Sequence, residues 1–158
     1  MKTIKKLMLV SVVFLVASNA RAAPVSFMGI GYIPGGAESS FAHGVSADGS
    51  VVVGQAFSSQ GFEAFRWTST GGMVGLGDLA GGGYQSGARG VSGDGTTMVG
   101  QGLSNTGEEA FRWTSAGGMQ GLGDLPGGTT YSDARATSAD GSVVVGATEL
   151  GTLSEARL

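Results

Sequence analysis

The sequence predicts an all-β chain built from tandem four-stranded antiparallel repeats of 46 residues. Three observations carry this. Gly occurs 31 times in 158 residues without a running Gly-X-Y triplet, so a collagen triple helix is excluded. No stretch after residue 23 shows a 3.6-residue apolar period, which is the mark of an amphipathic helix. Beyond a short leader, the chain aligns with itself at a constant offset of 46 residues without a gap. A fixed period of this size marks a repeat architecture, in which one unit cannot bury its apolar surface alone.

Residues 1–22 read as a signal peptide helix. Lys2, Lys5 and Lys6 give a basic start, and residues 7–17 are apolar except for Ser11. Ala20-Arg21-Ala22 then places small residues where a signal peptidase reads them, with Ala23-Pro24 following. Eleven residues at a rise of about 1.5 Å span roughly half of a 30 Å hydrocarbon core. The expectation is therefore cleavage near Ala22–Ala23 and export to the extracellular space or the periplasm, with no stable membrane anchor left. After cleavage five Arg, no Lys and 12 acids remain, a net charge of −7. Such a surface is a poor partner for nucleic acid or an anionic membrane. The absence of Cys excludes a disulfide framework and a thiolate zinc site.

The repeats run over 29–74, 75–120 and 121–158, the last incomplete. Gly-Ile-Gly-Tyr-Ile-Pro-Gly-Gly from Gly29 faces Gly-Leu-Gly-Asp-Leu-Ala-Gly-Gly from Gly75 and Gly-Leu-Gly-Asp-Leu-Pro-Gly-Gly from Gly121. Between the first two copies 26 of 46 positions match, enough to fix the register. Within the second copy, strands are expected at 88–92, 96–101, 109–114 and 119–125. Asp94-Gly95 forms a tight turn between the first two, because Asp-Gly readily takes positive φ. Gly117-Gly118 leads into the fourth.

Alternation along the strands assigns faces. Val51 and Val53 point one way, Val52 and Gly54 the other, so both faces are apolar or small and suit a sheet packed on both sides. Phe65 and Trp67 share one face, and Ala64, Arg66 and Thr68 the other. The ring of Trp113 is expected in the core, and small residues at Gly44, Gly54 and Gly77 are expected to admit a neighbouring sheet. Four strands in 46 residues suit β-propeller blades, with an open β-solenoid as the alternative. The third copy keeps the pattern through Gly146 and then lacks the Trp and the fourth strand. Two units and a fraction are too few to close a propeller. The expectations are a piece of a longer repeat protein, self-association through open sheet edges, or an open stack.

No residue set points to catalysis, a cofactor or a metal. Asp48, Asp94 and Asp140 each stand almost alone, so a hairpin turn is expected and not a calcium loop with oxygens at alternating positions. Asp78 and Asp124 sit in Gly-rich turns, as cation or sugar ligands or as Asx-type turn formers and Arg partners. Tyr32 takes the same slot in the first copy. Gly75-x-Gly77-x-x-Ala80 imitates a dinucleotide fingerprint, but no helix follows to meet a pyrophosphate. His43, the only His, holds the repeat position of Arg89 and Arg135. Arg66 and Arg112 recur, as do Glu63 and Glu109, and these recurrent opposite charges predict pairs between strands or units. The Ser residues are expected in turns.

Three phrases recur in fixed order: Gly-Leu-Gly-Asp-Leu-Pro-Gly-Gly, Val-Ser-Ala-Asp-Gly-Ser-Val-Val-Val-Gly, and Glu-Ala-Phe-Arg-Trp-Thr. Together they resemble the HAF repeat family of bacterial extracellular proteins, over residues 29 to about 156. The letters that name the family stand here as Ser40-Phe41-Ala42-His43 in the first copy alone. The resemblance implies export, as in family members that carry a PEP-CTERM sorting signal or an autotransporter barrel, and it assigns no functional residue. The functional expectation is a secreted, non-enzymatic interaction or surface-structural module, whose partners are copies of itself or another repeat protein. The alternative is an exported propeller-type glycan binder, hydrolase or lyase.

Overall fold

The structure is a computed structural model that describes residues 27–126 and 131–149. Residues 1–22, expected to be a signal peptide, and residues 150–158 of the expected third repeat lie outside them. Every element is a strand: β1 (Ser40–Val45), β2 (Val51–Phe57), β3 (Phe62–Thr68), β4 (Gly72–Gly75), β5 (Gly81–Val91), β6 (Thr97–Ser104), β7 (Glu108–Thr114), β8 (Gly118–Gly121), β9 (Ser132–Thr137) and β10 (Val144–Thr148). Strands β1 to β4 form one antiparallel meander, β5 to β8 a second, and β9 with β10 a hairpin. The two meanders touch edge to edge through the parallel pair Phe62↔Gln85. Glu108↔Tyr131 makes the corresponding bridge to the hairpin. The sheets are open and do not close on themselves.

The pairing follows from the sequence pattern. β2 and β3 pair from Val51↔Thr68 to Phe57↔Phe62, and β6 and β7 from Thr97↔Thr114 to Leu103↔Glu108, each pair displaced by 46. Three boundaries differ from expectation by more than one residue, the first being that the strand placed at 96–101 runs on to Ser104. The strand placed at 88–92 starts at Gly81, because Gly81 already pairs with Ser104. The strand placed at 119–125 stops at Gly121, because Gly123 takes a positive φ of 76° and turns the chain out of the sheet.

Each of the first two strands of a sheet is joined through Asp-Gly, but Asp is not in the left-handed region. Only the glycines are, at φ of 71–74° for Gly49, Gly95 and Gly141. The Gly49 N–H donates to the Ser46 carbonyl, and the Ser46 N–H to the Val51 carbonyl. The Asp side chain locks the loop. The Ser46 hydroxyl and the Ser50 N–H and hydroxyl all donate to Asp48 Oδ1, at 2.7, 3.0 and 2.8 Å. Ser92 and Thr96 do the same for Asp94, and Ser138 and Ser142 for Asp140. These turns are the hairpins expected from the sequence.

The bonds favour the charged carboxylate, the preceding Ser hydroxyl most of all. Asp48 and Asp140 are held down at about 2, and Asp94 is lowered as well, from an ordinary 3.8. A carboxyl depressed by folding stabilises the fold above its unfolded pKa of about 3.9, and that contribution is lost as pH falls through the folded value. Thermal denaturation should therefore show a melting temperature that drops between pH 5 and pH 2. The triple variant D48N/D94N/D140N should show a flatter profile over that window. An equal slope in both proteins would refute the role of these turns.

The core lies between sheets. Val51, Val53 and Ala64 of the first sheet cluster with Ala88, Met98 and Phe111 of the second, with Leu76 and Leu79 of the connection filling in. Phe65 clusters with Ile33, Ala56 and Met73 on the opposite face of the first sheet. Both faces of β2 are thus used. Phe65 and Phe111 are each 0% exposed, and their neighbours correspond at the 46-residue offset: Met73 with Met119, Trp67 with Trp113, Ile33 with Leu79. Phe111 has in addition the first sheet against it. A smaller cluster of Val99, Ala110 and Ala134, with Val144 packed on it, joins the second sheet to the hairpin. Trp113, expected in the core, is half-buried at its margin, whereas Phe111 is sealed.

Gly44 does admit the next sheet, since a Cβ there would lie 3.2 Å from the Arg89 carbonyl oxygen. Gly54 and Gly77 do not serve that purpose. A Cβ at Gly54 would collide with the Phe41 carbonyl of its own sheet, and Gly77 faces open space at a positive φ of 84°.

Candidate functional site

The first strand of each sheet carries a basic residue at one register position, and in each sheet that residue is the extra one of a β-bulge. Pairing steps from Ala42↔Gly54 to Gly44↔Val53 and skips His43. It steps from Ala88↔Gly100 to Gly90↔Val99 and skips Arg89. It steps from Gly146↔Ala134 to Val145↔Ala136 and skips Arg135. A bulge leaves its extra residue out of the ladder and re-aims the side chain. Here it lines up His43, Arg89 and Arg135 on successive sheets.

Between the first and second sheets His43 and Arg89 border a cleft of about 240 Å³. Its polar lining comes from His43, Gln55, Gln85, Arg89, Gln101 and Glu108, with Phe62 as its aromatic wall. The Arg89 Nη2 donates to Gln101 Oε1 at 2.8 Å. Partial burial, and then the charge of Arg89, lower the pKa of His43 from its ordinary 6.5, as expected for two bases facing one space.

The next interface has a carboxylate in the equivalent place. Asp133, 3% exposed, accepts Arg89 Nε at 2.6 Å and Arg135 Nε at 3.2 Å. Moving back 46 residues turns Arg89 into His43, Arg135 into Arg89, Gln101 into Gln55, and Asp133 into Gly87. The first interface therefore keeps the bases and the amides and lacks the acid. A Cβ at Gly87 would lie 2.7 Å from Gln55 Oε1, at the mobile end of a side chain.

The expected pairing of the recurrent Arg and Glu residues does not occur. Glu63 and Arg66 are three positions apart on one strand and so point to opposite faces. Glu63 instead accepts the Gly77 N–H at 2.9 Å, and Glu109 the Gly123 N–H at 2.9 Å. Arg112 donates to Thr97 Oγ1, and Arg66 forms no ion pair among the described residues. The ion pairs that do form use Asp133, which has no repeat counterpart.

Asp78 ties its loop to the start of the next sheet through backbone N–H groups, and neither bond is the one to the second residue on that defines an Asx turn. Its carboxylate accepts the Leu79 and Gln85 N–H groups at 2.8 Å each, while burial, the largest influence, raises its pKa. Asp124 likewise accepts the Leu125 N–H at 2.7 Å and takes the Thr148 hydroxyl. No group of three or more His, Cys, Asp or Glu that could hold a metal occurs among the described residues. Beside Glu63 and Asp78, burial first and the Glu63 carboxylate second push the Tyr84 hydroxyl up to about 12.

Two serines expected in turns are inter-sheet fasteners. The Ser86 hydroxyl accepts the Ala64 N–H of the first sheet at 3.0 Å and donates to the Gly77 carbonyl at 2.6 Å. Ser132 repeats this with Ala110 at 2.9 Å and Gly123 at 2.7 Å. Their recurrence at the offset, with Ser40 as the first member, was the available signal. The S86A variant leaves the buried Ala64 N–H without an acceptor and should lose about 1–3 kcal/mol, measured by urea denaturation. An unchanged midpoint would remove the fastener role.

No protein-family model, curated protein or solved structure matches the chain.

Proposed function

We propose that this is a secreted, non-enzymatic β-repeat protein of the HAF type, an interaction or surface-structural module whose 46-residue units stack as blade-like sheets. The observation that supports the reading is the repetition of inter-unit hardware at one offset. The serine fasteners, the Asp-locked turns and the strand registers all recur after 46 residues. The serine fasteners join sheet to sheet, the Asp-locked turns hold each hairpin, and the cleft beside His43 and Arg89 is left to meet another molecule. Partners are copies of the chain, through open sheet edges, or another repeat protein.

The test is expression of the full chain in a bacterial host. N-terminal sequencing of exported protein should begin at Ala23. A chain retained in the cytoplasm and starting at Met1 would overturn the export part. Light scattering on the exported protein reads self-association, and a strict monomer at high concentration would leave another repeat protein as partner.

A second reading, glycan binding, is favoured by the cleft. Its amides both donate and accept, as recognition of a polyhydroxylated ring requires.

A further inference from the structure

The Asp133 interface shows what the bulge row is built to hold. Two bases, Arg89 and Arg135, converge on one buried carboxylate. The preceding interface places His43 and Arg89 at the corresponding repeat positions beside one cleft, and Gly87 leaves the carboxylate position without a side chain. Arg89 has donors to spare there. Its Nε is committed to Asp133 and one Nη2 hydrogen to Gln101, and a guanidinium carries five N–H donors in all. The rest of the lining is not that of a simple anion hole. Gln55, Gln85 and Gln101 offer paired donors and acceptors, Glu108 accepts only, and Phe62 presents a ring. The volume, about 240 Å³, is below the roughly 300–1,000 Å³ of drug-sized pockets, and suits one sugar ring.

We infer that this cleft binds a carboxylated sugar of the hexuronate class, its carboxylate between His43 and Arg89 and its hydroxyls on the glutamines and Glu108. The carboxylate replaces in trans what Asp133 supplies in cis one unit later. Charge-assisted hydrogen bonds to Arg are the stronger kind, so they set the orientation of the ring, and the amides select a hydroxylated ligand over a bare acid. The inference deepens the interaction role proposed above. Export is read by N-terminal sequencing and binding by titration, so the two fail separately.

The experiment is calorimetric titration of the folded chain with galacturonate oligomers, against neutral galactose oligomers and N-acetyl-aspartate. The expected result is saturable binding of the galacturonate oligomers, at least tenfold tighter than either control. G87D places the carboxylate of the next interface into the cleft. It should lose at least tenfold in affinity while its melting temperature holds or rises. H43A, at an exposed position, should weaken binding several-fold and provides the second variant if G87D folds poorly. Equal binding of the neutral oligomer would overturn the carboxylate assignment. Equal binding of N-acetyl-aspartate would overturn the sugar assignment. Undiminished affinity in G87D and H43A would place the ligand elsewhere and overturn the site.

Discussion

Replacing Phe111 with Ala should cost about 3–5 kcal/mol, the range for truncating a buried aromatic ring. At roughly 4 °C per kcal/mol for a domain of this size, the melting temperature should fall by about 12–20 °C. The ring is 0% exposed and is enclosed from both sides, by Met98 of its own sheet and by Val51, Val53 and Ala64 of the neighbour. Its removal opens a void that rigid strands cannot collapse to fill. W113A should cost clearly less, because that ring is half-buried at the margin of the same cluster. F65A is the internal comparison, since Phe65 is equally buried but clusters with its own sheet and the Ile30–Ile33 connection. Differential scanning calorimetry ranks the three. A loss for W113A as large as for F111A would contradict the packing described.

Gly100→Val should be at least as damaging. A Cβ at Gly100 would lie 2.0 Å from the Gly87 carbonyl oxygen and 2.9 Å from Ala88 Cα. These are backbone atoms of the paired strand β5, so no rotamer change relieves the clash. The bulge at Arg89 shifts the register of β5 on β6 next to this point, and only a residue without a side chain fits against the Gly87 carbonyl. Overpacking commonly costs about 1–3 kcal/mol and more where the backbone must move, so a loss of about 3 kcal/mol or greater is expected. Amide hydrogen exchange should show lost protection at Gly87 and Ala88 in β5, ahead of β7 and β8. Native stability in the variant would mean that the bulge is not where the structure puts it. Gly54 and Gly146 face the same clash in their own sheets.

Much of the fold was legible because it depends on short-range rules. Alternation put Val51 and Val53 together on one strand and Phe65 and Trp67 together on the next, and each pair shares a cluster; that the two pairs face opposite ways came from the register between the strands. Asp-Gly marked the hairpins, although Gly alone takes the positive φ. The candidate site was less legible. The basic register position was visible as His43, Arg89 and Arg135, but not that each sits in a bulge. Bulges arise from pairing between strands, which a linear pattern does not contain. Glu63 and Arg66 looked like partners on charge alone, and strand pleating separates them. The role of Ser86 was not legible, because its donor and acceptor, 22 and nine positions away, become neighbours only when two sheets meet.

By itself the sequence determined the all-β character, the 46-residue period and the face of each strand residue. All three follow from backbone preferences and from a side-chain period of two. The tertiary structure alone decided that the sheets stay open, that Phe111 and not Trp113 is sealed, and that Gly87 leaves a cleft where Asp133 fills its counterpart. Those outcomes depend on which surfaces approach across sheets, and the distances of that approach are set by packing and not by local pattern.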